Sequence, residues 1–210
     1  MAKPLTIAVP KGRVLKSVIK LFQRAGIDVA SLEEDDRRLV RTADEGRLRF
    51  LLLKPDDVPT YVEYGAADLG VAGRDVLLER GYDLYQPLEL GIGRCRMVVA
   101  APIDAPPPAG VPRVATKFPR IAADHFAQKG VQAEIIYVQG SVELAPLVGL
   151  SDLIVDLVET GTTLVENRLE VVEVVVPISS VLVANRAAYK LRATDIGPLV
   201  SALRESVRAR

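Results

Sequence analysis

The stretch with the clearest chemical potential runs over residues 152–164 and reads DLIVDLVETGTTL. Its first half is an apolar run typical of a buried strand, and its second half is a hydroxyl-rich turn that leads into a helix. The first N–H groups of a helix have no internal partner, so a strand, a small turn and a helix in this order can bind an anion. An ordinary capped helix start would look the same, and that interpretation stays open here. The turn consists of Thr160, Gly161, Thr162 and Thr163.

Two carboxylates lie just upstream of this turn, Asp156 within the apolar run and Glu159 at its end. Carboxylates accept hydrogen bonds from sugar hydroxyls, while the N–H groups and threonine hydroxyls of the turn would hold a phosphate. The combination predicts a sugar phosphate as the ligand.

A second candidate is the sequence Lys11-Gly12-Arg13, which follows an apolar strand predicted over residues 5–9 and precedes an amphipathic helix. It therefore lies at the carboxyl end of the first strand, the edge where open α/β sheets bind ligands. A glycine between two cations allows both the backbone and the side chains to approach a polyphosphate. The alternative is a solvated basic loop.

Composition excludes several classes of function. Lys plus Arg and Asp plus Glu are both 27, so the formal net charge is zero, which argues against bulk binding of nucleic acid or of a membrane surface. The only cysteine, Cys95, excludes an internal disulfide, and the only histidine, His125, excludes a zinc site with two histidines. Both are expected to be structural. No apolar run is long enough to span a bilayer, and Lys11 and Arg13 interrupt the N-terminal apolar run too early for a signal peptide, so we expect a cytoplasmic protein.

The elements that must position these residues alternate between strand and helix, which predicts largely parallel sheets. The segment 31–47 is predicted to be a solvated loop or hairpin, and the prolines of 102–112 a surface connection. Ser141 is expected to cap a short helix that Gly149 ends, and the last helix is expected to begin at Thr194 with Pro198 in its first turn. Strands are predicted at 5–9, 47–53, 67–73, 94–101, 113–116, 134–138, 152–158 and 171–176, the last broken by Pro177.

This order predicts an α/β fold of two lobes, the first formed by 1–90 plus 176–210 and the second by 91–175. Ligand chemistry would be expected in a cleft between two such lobes.

Residues 143–164 also carry the signature of a known family and resemble the ATP phosphoribosyltransferases. Three segments of the first lobe are similar to that family as well: 11–13, 57–62 and 67–73, so the resemblance covers essentially the whole chain. The signature positions are Glu143, Gly149, Ser151, Ile154, Asp156, Leu157, Thr160, Gly161, Thr163 and Leu164.

The resemblance implies transfer of the phosphoribosyl group of 5-phosphoribosyl 1-diphosphate to N1 of ATP, with release of diphosphate and a requirement for Mg²⁺. It implies two α/β lobes like those of type II periplasmic solute-binding proteins, with the active-site cleft between them. Because the chain stops at Arg210 straight after one helix, it resembles the short form. Short forms are built on catalytic homodimers and work with a separate regulatory subunit that resembles histidyl-tRNA synthetase.

The resemblance also implies roles for individual residues. Arg13, Arg37 and Asp156 would be catalytic, with Arg37 reaching a neighbouring subunit's site to neutralise the leaving diphosphate; a solvated loop is the alternative for Arg37. No metal ligand is expected from the chain, because the substrate phosphates would carry the Mg²⁺. The phosphoribosyl diphosphate site would comprise Glu143, Asp156, Glu159, Thr160, Gly161, Thr162 and Thr163. The nucleotide site would comprise Lys11, Gly12, Arg13, Asp68 and Gly73.

Two rival functions are compatible with parts of this pattern. One is a non-catalytic anion sensor or solute-binding module with the same two-lobe design, which the absence of a signal peptide and the full signature disfavour. The other is salvage phosphoribosyl transfer to a free base. Salvage enzymes generally carry two adjacent acidic residues before the phosphate loop, whereas Asp156 and Glu159 are separated by two apolar residues.

Overall fold

A computed structural model describes residues 3–34 and 36–209. The chain divides into two compact units, unit 1 with Met1–Gly93 and Ser179–Arg210, and unit 2 with Arg94–Ile178. The strands are β1 Leu5–Pro10, β2 Val40–Ala43, β3 Leu48–Leu53, β4 Leu69–Gly73, β5 Tyr85–Glu89, β6 Cys95–Pro102, β7 Arg113–Thr116, β8 Glu134–Tyr137, β9 Leu153–Val158, β10 Leu169–Ile178 and β11 Ser180–Ala184. The α-helices are α1 Arg13–Arg24, α2 Val58–Glu63, α3 Arg74–Arg80, α4 Pro119–Gln128, α5 Leu144–Leu147, α6 Thr162–Glu166, α7 Arg186–Leu191 and α8 Ala193–Arg208.

Unit 1 is built on a six-stranded sheet in the order β2-β3-β1-β4-β11-β5. β1 is parallel to both β3 and β4, so these three strands end at the same edge. One face is covered by α1 and α8, whose apolar sides pack on β1 and β3; Phe22 of α1 meets Phe50 of β3 edge to face at 5.6 Å. The other face is covered by apolar residues of α2 and α3. Short 3-10 turns lie at Ala30–Leu32, Asp44–Gly46 and Pro55–Asp57.

Unit 2 is built on a five-stranded sheet in the order β10-β6-β9-β7-β8. β7 is parallel to β8 and β9, whereas β6 is antiparallel to β9 and β10. α4 covers one face, and the short helices α5 and α6 cover the other. Among the residues described in both units, no helix is long and apolar enough to cross a membrane.

The strand predicted over 171–176 is longer in the structure, where β10 runs from Leu169 to Ile178. The prediction that Pro177 breaks this strand is wrong. Pro177 pairs with Arg96, and β10 is the edge strand of its sheet. A residue without an N–H can remain in a strand where no second neighbour needs that donor.

The segment 31–47 is more ordered than a solvated loop. β2 forms a hairpin arm antiparallel to β3, and its Arg41 is only 3% exposed. Arg41 donates to the carboxylates of Glu34 and Asp36, so that these two carboxylates neutralise the charge of a buried arginine. The hairpin alternative is confirmed.

Two helix starts differ from the prediction. α5 begins at Leu144, its cap position is Glu143, and it has no side-chain capping bond; Ser141 instead adopts a left-handed φ of 48°. α8 begins at Ala193, directly after α7, and Pro198 lies inside the helix rather than in its first turn.

Candidate active site

The candidate site of unit 2 is the edge where β7, β8 and β9 end. Thr116 of β7 pairs with Tyr137 of β8 and with Val155 of β9, so the three parallel strands are in register there. The segments that follow them emerge at the same edge: Lys117 after β7, residues 138–143 after β8 and residues 159–163 after β9, which extends from Val155 to Val158 beyond the end of β7. This is the edge at which open α/β sheets bind ligands.

The turn after β9 has the predicted strand–turn–helix geometry. Gly161 is the cap residue of α6, with φ 87° and ψ −2°, a left-handed conformation that favours glycine. The Thr160 and Thr162 hydroxyls lie 3.0 Å apart, and both side chains and that of Thr163 are exposed. Because α6 has only five residues, its dipole is small. The donors available to an anion are therefore mainly local N–H groups and hydroxyls.

Asp156 lies half-buried on β9, directly opposite Val98 of β6. Its side chain shares a face with Ile154 and Val158, the face on which α5 and α6 pack. Burial raises the pKa of this carboxyl, the nearby Glu143 carboxylate raises it further, and the Leu157 N–H at 2.8 Å and Lys117 oppose the change. A partly buried carboxyl with perturbed ionisation at a ligand-binding edge is a candidate functional group.

The other predicted carboxylates of unit 2 divide into two cases. Glu143, half-buried at the start of α5, acts on Asp156 through its charge, so the structure brings these two residues together. Glu159 is exposed at the end of β9, next to the turn.

In unit 1, Lys11-Gly12-Arg13 lies at the edge formed by the ends of β1, β3 and β4. The Lys11 N–H donates to Leu53 O at 2.8 Å, which holds this loop beside the end of β3. Gly12 has φ 84° and ψ −145°, a conformation almost restricted to glycine. Both flanking cationic side chains are exposed.

Gly73 ends β4 and precedes α3 at the same edge of unit 1. A Cβ at this position would overlap Oδ1 of Asp75, so the absence of a side chain allows the Asp75 carboxylate to fold back over the start of α3.

Asp68 is not brought together with the other predicted nucleotide-binding residues. It precedes β4, and its carboxylate accepts from the Thr6 N–H at 2.8 Å and from Arg192 at 2.9 Å. Thr6 and Lys11 lie at opposite ends of β1, five residues or about 16 Å apart. The structure shows Asp68 joining β1, β4 and the start of α8, and its contact with the nucleotide stays a prediction.

Arg37 differs from its two arginine neighbours. Arg38 pairs with Glu34 and Asp36, and Arg41 is buried on the same two carboxylates. Arg37 is exposed, and it forms no hydrogen bond or ion pair with another residue of the described ranges 3–34 and 36–209.

The single cysteine and the single histidine belong to the opposite face of the unit 2 sheet, the face covered by α4. Cys95 is half-buried at the start of β6 and is not part of a disulfide between described residues. His125 of α4 lies with its Nε2 3.4 Å from Glu173 of β10, on the face opposite to Asp156.

The sequence patterns did not single out Lys117. The available signal was its position directly after a strand and before a helix, the same position that Lys11 has in unit 1.

Solved structures with this architecture define the class. The sulphonate-binding protein SsuA from Escherichia coli is similar over 99% of this chain and 73% of its own, with a TM-score of 0.62 and 14% sequence identity. At that identity the likeness shows the fold alone. The predicted fold class, two α/β units of the solute-binding protein type, is confirmed.

Closer relatives define the family. The family model for ATP phosphoribosyltransferase matches residues 54–205. An ATP phosphoribosyltransferase from Sorangium cellulosum is 70% identical over 97% of this chain and 96% of its own, and one from Halorhodospira halophila is 52% identical over 100% and 99%. A solved ATP phosphoribosyl transferase (HisG:HisZ) complex from Thermotoga maritima has a chain that is 37% identical, with a TM-score of 0.83 over 98% of this chain and 100% of that one. The chain belongs to the ATP phosphoribosyltransferase family, which confirms the predicted resemblance and identifies an enzyme that transfers a pentosyl group.

Proposed function

We infer that the chain catalyses the first step of histidine biosynthesis, the transfer of the phosphoribosyl group of 5-phosphoribosyl 1-diphosphate to N1 of ATP, with release of diphosphate. The observation that supports this most strongly is the family match over 54–205 together with 70% identity to a relative of that name. Adenine N1 already carries a nucleophilic lone pair, so the reaction needs no general base, and the chain has a single histidine. The catalytic work is positioning and charge neutralisation.

The turn at 160–163 is assigned to the 5-phosphate of the sugar. It presents a left-handed glycine and exposed hydroxyls at the carboxyl edge of unit 2. Hydrogen bonds to a charged group contribute about 1.5–3 kcal/mol each, so a few of them would dominate binding of the sugar phosphate.

Asp156 and Glu143 are assigned to the ribose, and Glu159 to the ribose or to solvent, because a carboxylate facing the phosphate would repel it. In the free enzyme, burial disfavours the ionised form of the Asp156 carboxyl, and this costs free energy. Positive charge that develops at the anomeric carbon in the transition state would offset this cost, so the carboxylate stabilises the transition state more than the ground state.

Residues of unit 1 are assigned to the nucleotide and the diphosphate. Lys11, Gly12, Arg13 and Gly73 lie at one edge of its sheet, where Gly12 leaves the backbone accessible and the cations complement phosphate charge. Arg37 is assigned to the leaving diphosphate of a neighbouring subunit, consistent with an exposed guanidinium that Glu34 and Asp36 do not engage.

A divalent metal ion is generally required by enzymes of this family, and we assign it as Mg²⁺ bound mainly to the substrate phosphates. The described residues contain no group of three or more His, Cys, Asp or Glu side chains that could hold a metal ion. The ion would neutralise diphosphate charge, while the protein supplies the cationic and hydroxyl groups that orient the substrates.

We assign a homodimer and a separate regulatory subunit that resembles histidyl-tRNA synthetase as partners, in the cytoplasm. The support for a separate partner subunit is the similarity to the chain of the Thermotoga maritima HisG:HisZ complex over 98% of this chain. Gel filtration with light scattering, alone and with the regulatory subunit of the same organism, tests both partners.

The reaction is tested by incubating the protein with ATP, 5-phosphoribosyl 1-diphosphate and Mg²⁺ and following diphosphate release, with and without the regulatory subunit. We expect turnover with ATP and none with free adenine. Turnover with adenine alone would instead favour base salvage, and binding without turnover of either would favour a sensor.

The phosphoribosyl site is tested with Thr163→Val, which removes a hydroxyl at constant volume, and Thr163→Ser, which restores it. We expect the valine variant to raise the KM for the sugar diphosphate about tenfold, the equivalent of one lost hydrogen bond to a charged group, and the serine variant to recover most of the affinity. Equal affinity of both variants and the wild type in calorimetry would rule out the assignment.

A further inference from the structure

Lys117 occupies the central position at the carboxyl edge of unit 2, where β7 lies between β8 and β9. The register of β7 with β9 pairs Thr116, the last residue of β7, with Val155, so Lys117 follows at the level of Asp156. Paired residues of parallel strands place their side chains on the same face, and here that is the face carrying α5 and α6. The lysine and the aspartate are therefore cross-strand neighbours.

Local contacts fix the backbone around Lys117. The buried Thr116 hydroxyl donates to Val155 O at 2.6 Å, and its own oxygen, Thr116 Oγ1, accepts from the Phe118 N–H at 2.9 Å. The Lys117 ammonium lies 5.8 Å from the centre of the Phe118 ring, which is itself 4% exposed. A half-buried lysine tethered in this way loses less side-chain freedom on binding a partner than a surface lysine does.

The charges that face Asp156 come from each element around it. Glu143 at the start of α5 repels its carboxylate, and Lys117 attracts it. Arg96 of β6 pairs with Val158, the next cross-strand pair on the same face of the sheet, and Glu159 follows β9. The side chains of Arg96 and Glu159 are exposed, so that solvent screens their charges. The half-buried groups Lys117 and Glu143 thus act on Asp156 in opposite directions.

We propose that Lys117 is a positioning residue for the transfer reaction: it holds the Asp156 carboxylate at the ribose against the repulsion of Glu143. The proposal rests on the assignment of the phosphoribosyl site above. Lys117 acts through Asp156, so its removal lowers the fraction of enzyme whose carboxylate is ionised and correctly oriented. The accompanying rise in the pKa of Asp156 is the measurable consequence.

The test measures the affinity for 5-phosphoribosyl 1-diphosphate by calorimetry as a function of pH, with Lys117→Met, Lys117→Arg and Glu143→Gln. We expect Lys117→Met to weaken binding about tenfold near neutral pH and to move the acidic midpoint of the affinity profile upward by about one pH unit. Lys117→Arg keeps the charge and is expected to retain the wild-type midpoint. Glu143→Gln is expected to move the midpoint downward, and the double variant with Lys117→Met to restore it.

Lys129→Met is the matched control, because Lys129 of the same unit pairs with Glu173 on the opposite face of the sheet. Its affinity profile is expected to match the wild type. Should Lys117→Met unfold, the midpoints of Lys117→Arg and Glu143→Gln still decide the question: a Glu143→Gln midpoint equal to the wild type overturns the proposal.

Failure of this proposal and failure of the site assignment are distinguishable through Thr163→Val. If Thr163→Val loses affinity while Lys117→Met keeps both affinity and midpoint, the site assignment stands and Lys117 has no positioning role. If both variants bind like the wild type, the assignment of the site itself is overturned, and this proposal with it.

Discussion

Asp156 is half-buried on β9, and its raised pKa reflects burial first and the neighbouring Glu143 carboxylate second. At neutral pH the folded free enzyme must therefore keep an ionised carboxylate in an unfavourable environment. Asp156→Asn removes that charge at nearly constant volume. We expect the variant to bind the sugar diphosphate more weakly and yet to be more stable by about 1 kcal/mol, a trade-off usual at functional sites.

The sign of the pH dependence follows from the direction of the shift. Well below the ordinary aspartate pKa of 3.8 the carboxyl is neutral in both the folded and the unfolded state, and Asp156 adds no penalty. As the pH rises through the raised pKa of the folded state, the wild type loses stability relative to Asp156→Asn. Thermal unfolding should give the variant an advantage of about 2–4 °C near pH 7 that vanishes in acid. A lower Tm than the wild type at neutral pH would contradict this expectation.

Arg37 and Arg38 are adjacent in sequence but differ in their surroundings, since Glu34 and Asp36 engage only the second of them. If Arg37 neutralises the leaving diphosphate, Arg37→Ala should lower kcat by about tenfold to a hundredfold, equivalent to about 1.4–2.7 kcal/mol, while ATP affinity changes less. Arg38→Ala is the control, because loss of an exposed ion pair costs little. Steady-state kinetics and ATP calorimetry on both variants separate an effect on turnover from an effect on ATP binding. An unchanged kcat for Arg37→Ala would contradict the catalytic role and favour the alternative that Arg37 lies in a solvated loop.

At the scale of the element, the loop between β1 and α1 depends on a backbone conformation. Gly12 has φ 84° and ψ −145°, and no atom lies within 4 Å of the position that a Cβ would occupy. Gly12→Ala therefore introduces backbone strain without a steric clash, and we expect it to cost about 1–3 kcal/mol or to displace the Lys11 and Arg13 side chains. Gly110→Ala is the control, since Gly110 has open space and no left-handed φ. Differential scanning calorimetry with ATP titration checks the expectation, and a Tm and ATP affinity like those of Gly110→Ala would refute it.

The sequence predicted the strands and helices whose apolar periodicity is strong, among them β1, α1 and β9, and hence the edges where the candidate residues lie. The anion-binding turn at 160–163 could be predicted from the sequence because its residues are consecutive along the chain. The partners of Asp68, Thr6 and Arg192, could not be predicted because they are distant along the chain and meet only in the folded sheet. Pro177 was read as a strand end because the edge position of β10, which tolerates it, is a property of the sheet.

Lys117 could not be related to Asp156 from the sequence for a similar reason. The two residues are neighbours only because β7 and β9 pair in parallel with Thr116 opposite Val155. Such a register depends on the packing of the whole sheet, so that long-range pairs of this kind become visible only in the folded chain.

At the scale of the whole molecule, the two units differ in how the chain builds them. Unit 2 is one uninterrupted segment with its own apolar clusters on both faces of its sheet. Unit 1 is discontinuous, because β11 inserts between β4 and β5 and α8 covers β1 and β3 only after the chain has completed unit 2. The central position of β11 makes the C-terminal segment essential to the sheet of unit 1.

This difference predicts opposite behaviour of two fragments. The segment 94–178 should fold alone, because it carries a complete sheet and both of its covering layers, and it should bind ribose 5-phosphate through the turn at 160–163. The segment 1–93 should remain largely unfolded, because β4 and β5 lose the strand that lies between them. Far-UV circular dichroism with urea titration measures the folding of each fragment, and calorimetry with ribose 5-phosphate measures binding, with Thr163→Val in the 94–178 fragment as the control. Cooperative unfolding of 1–93, or a 94–178 fragment that binds ribose 5-phosphate equally well with and without the Thr163 hydroxyl, would contradict this division of the chain.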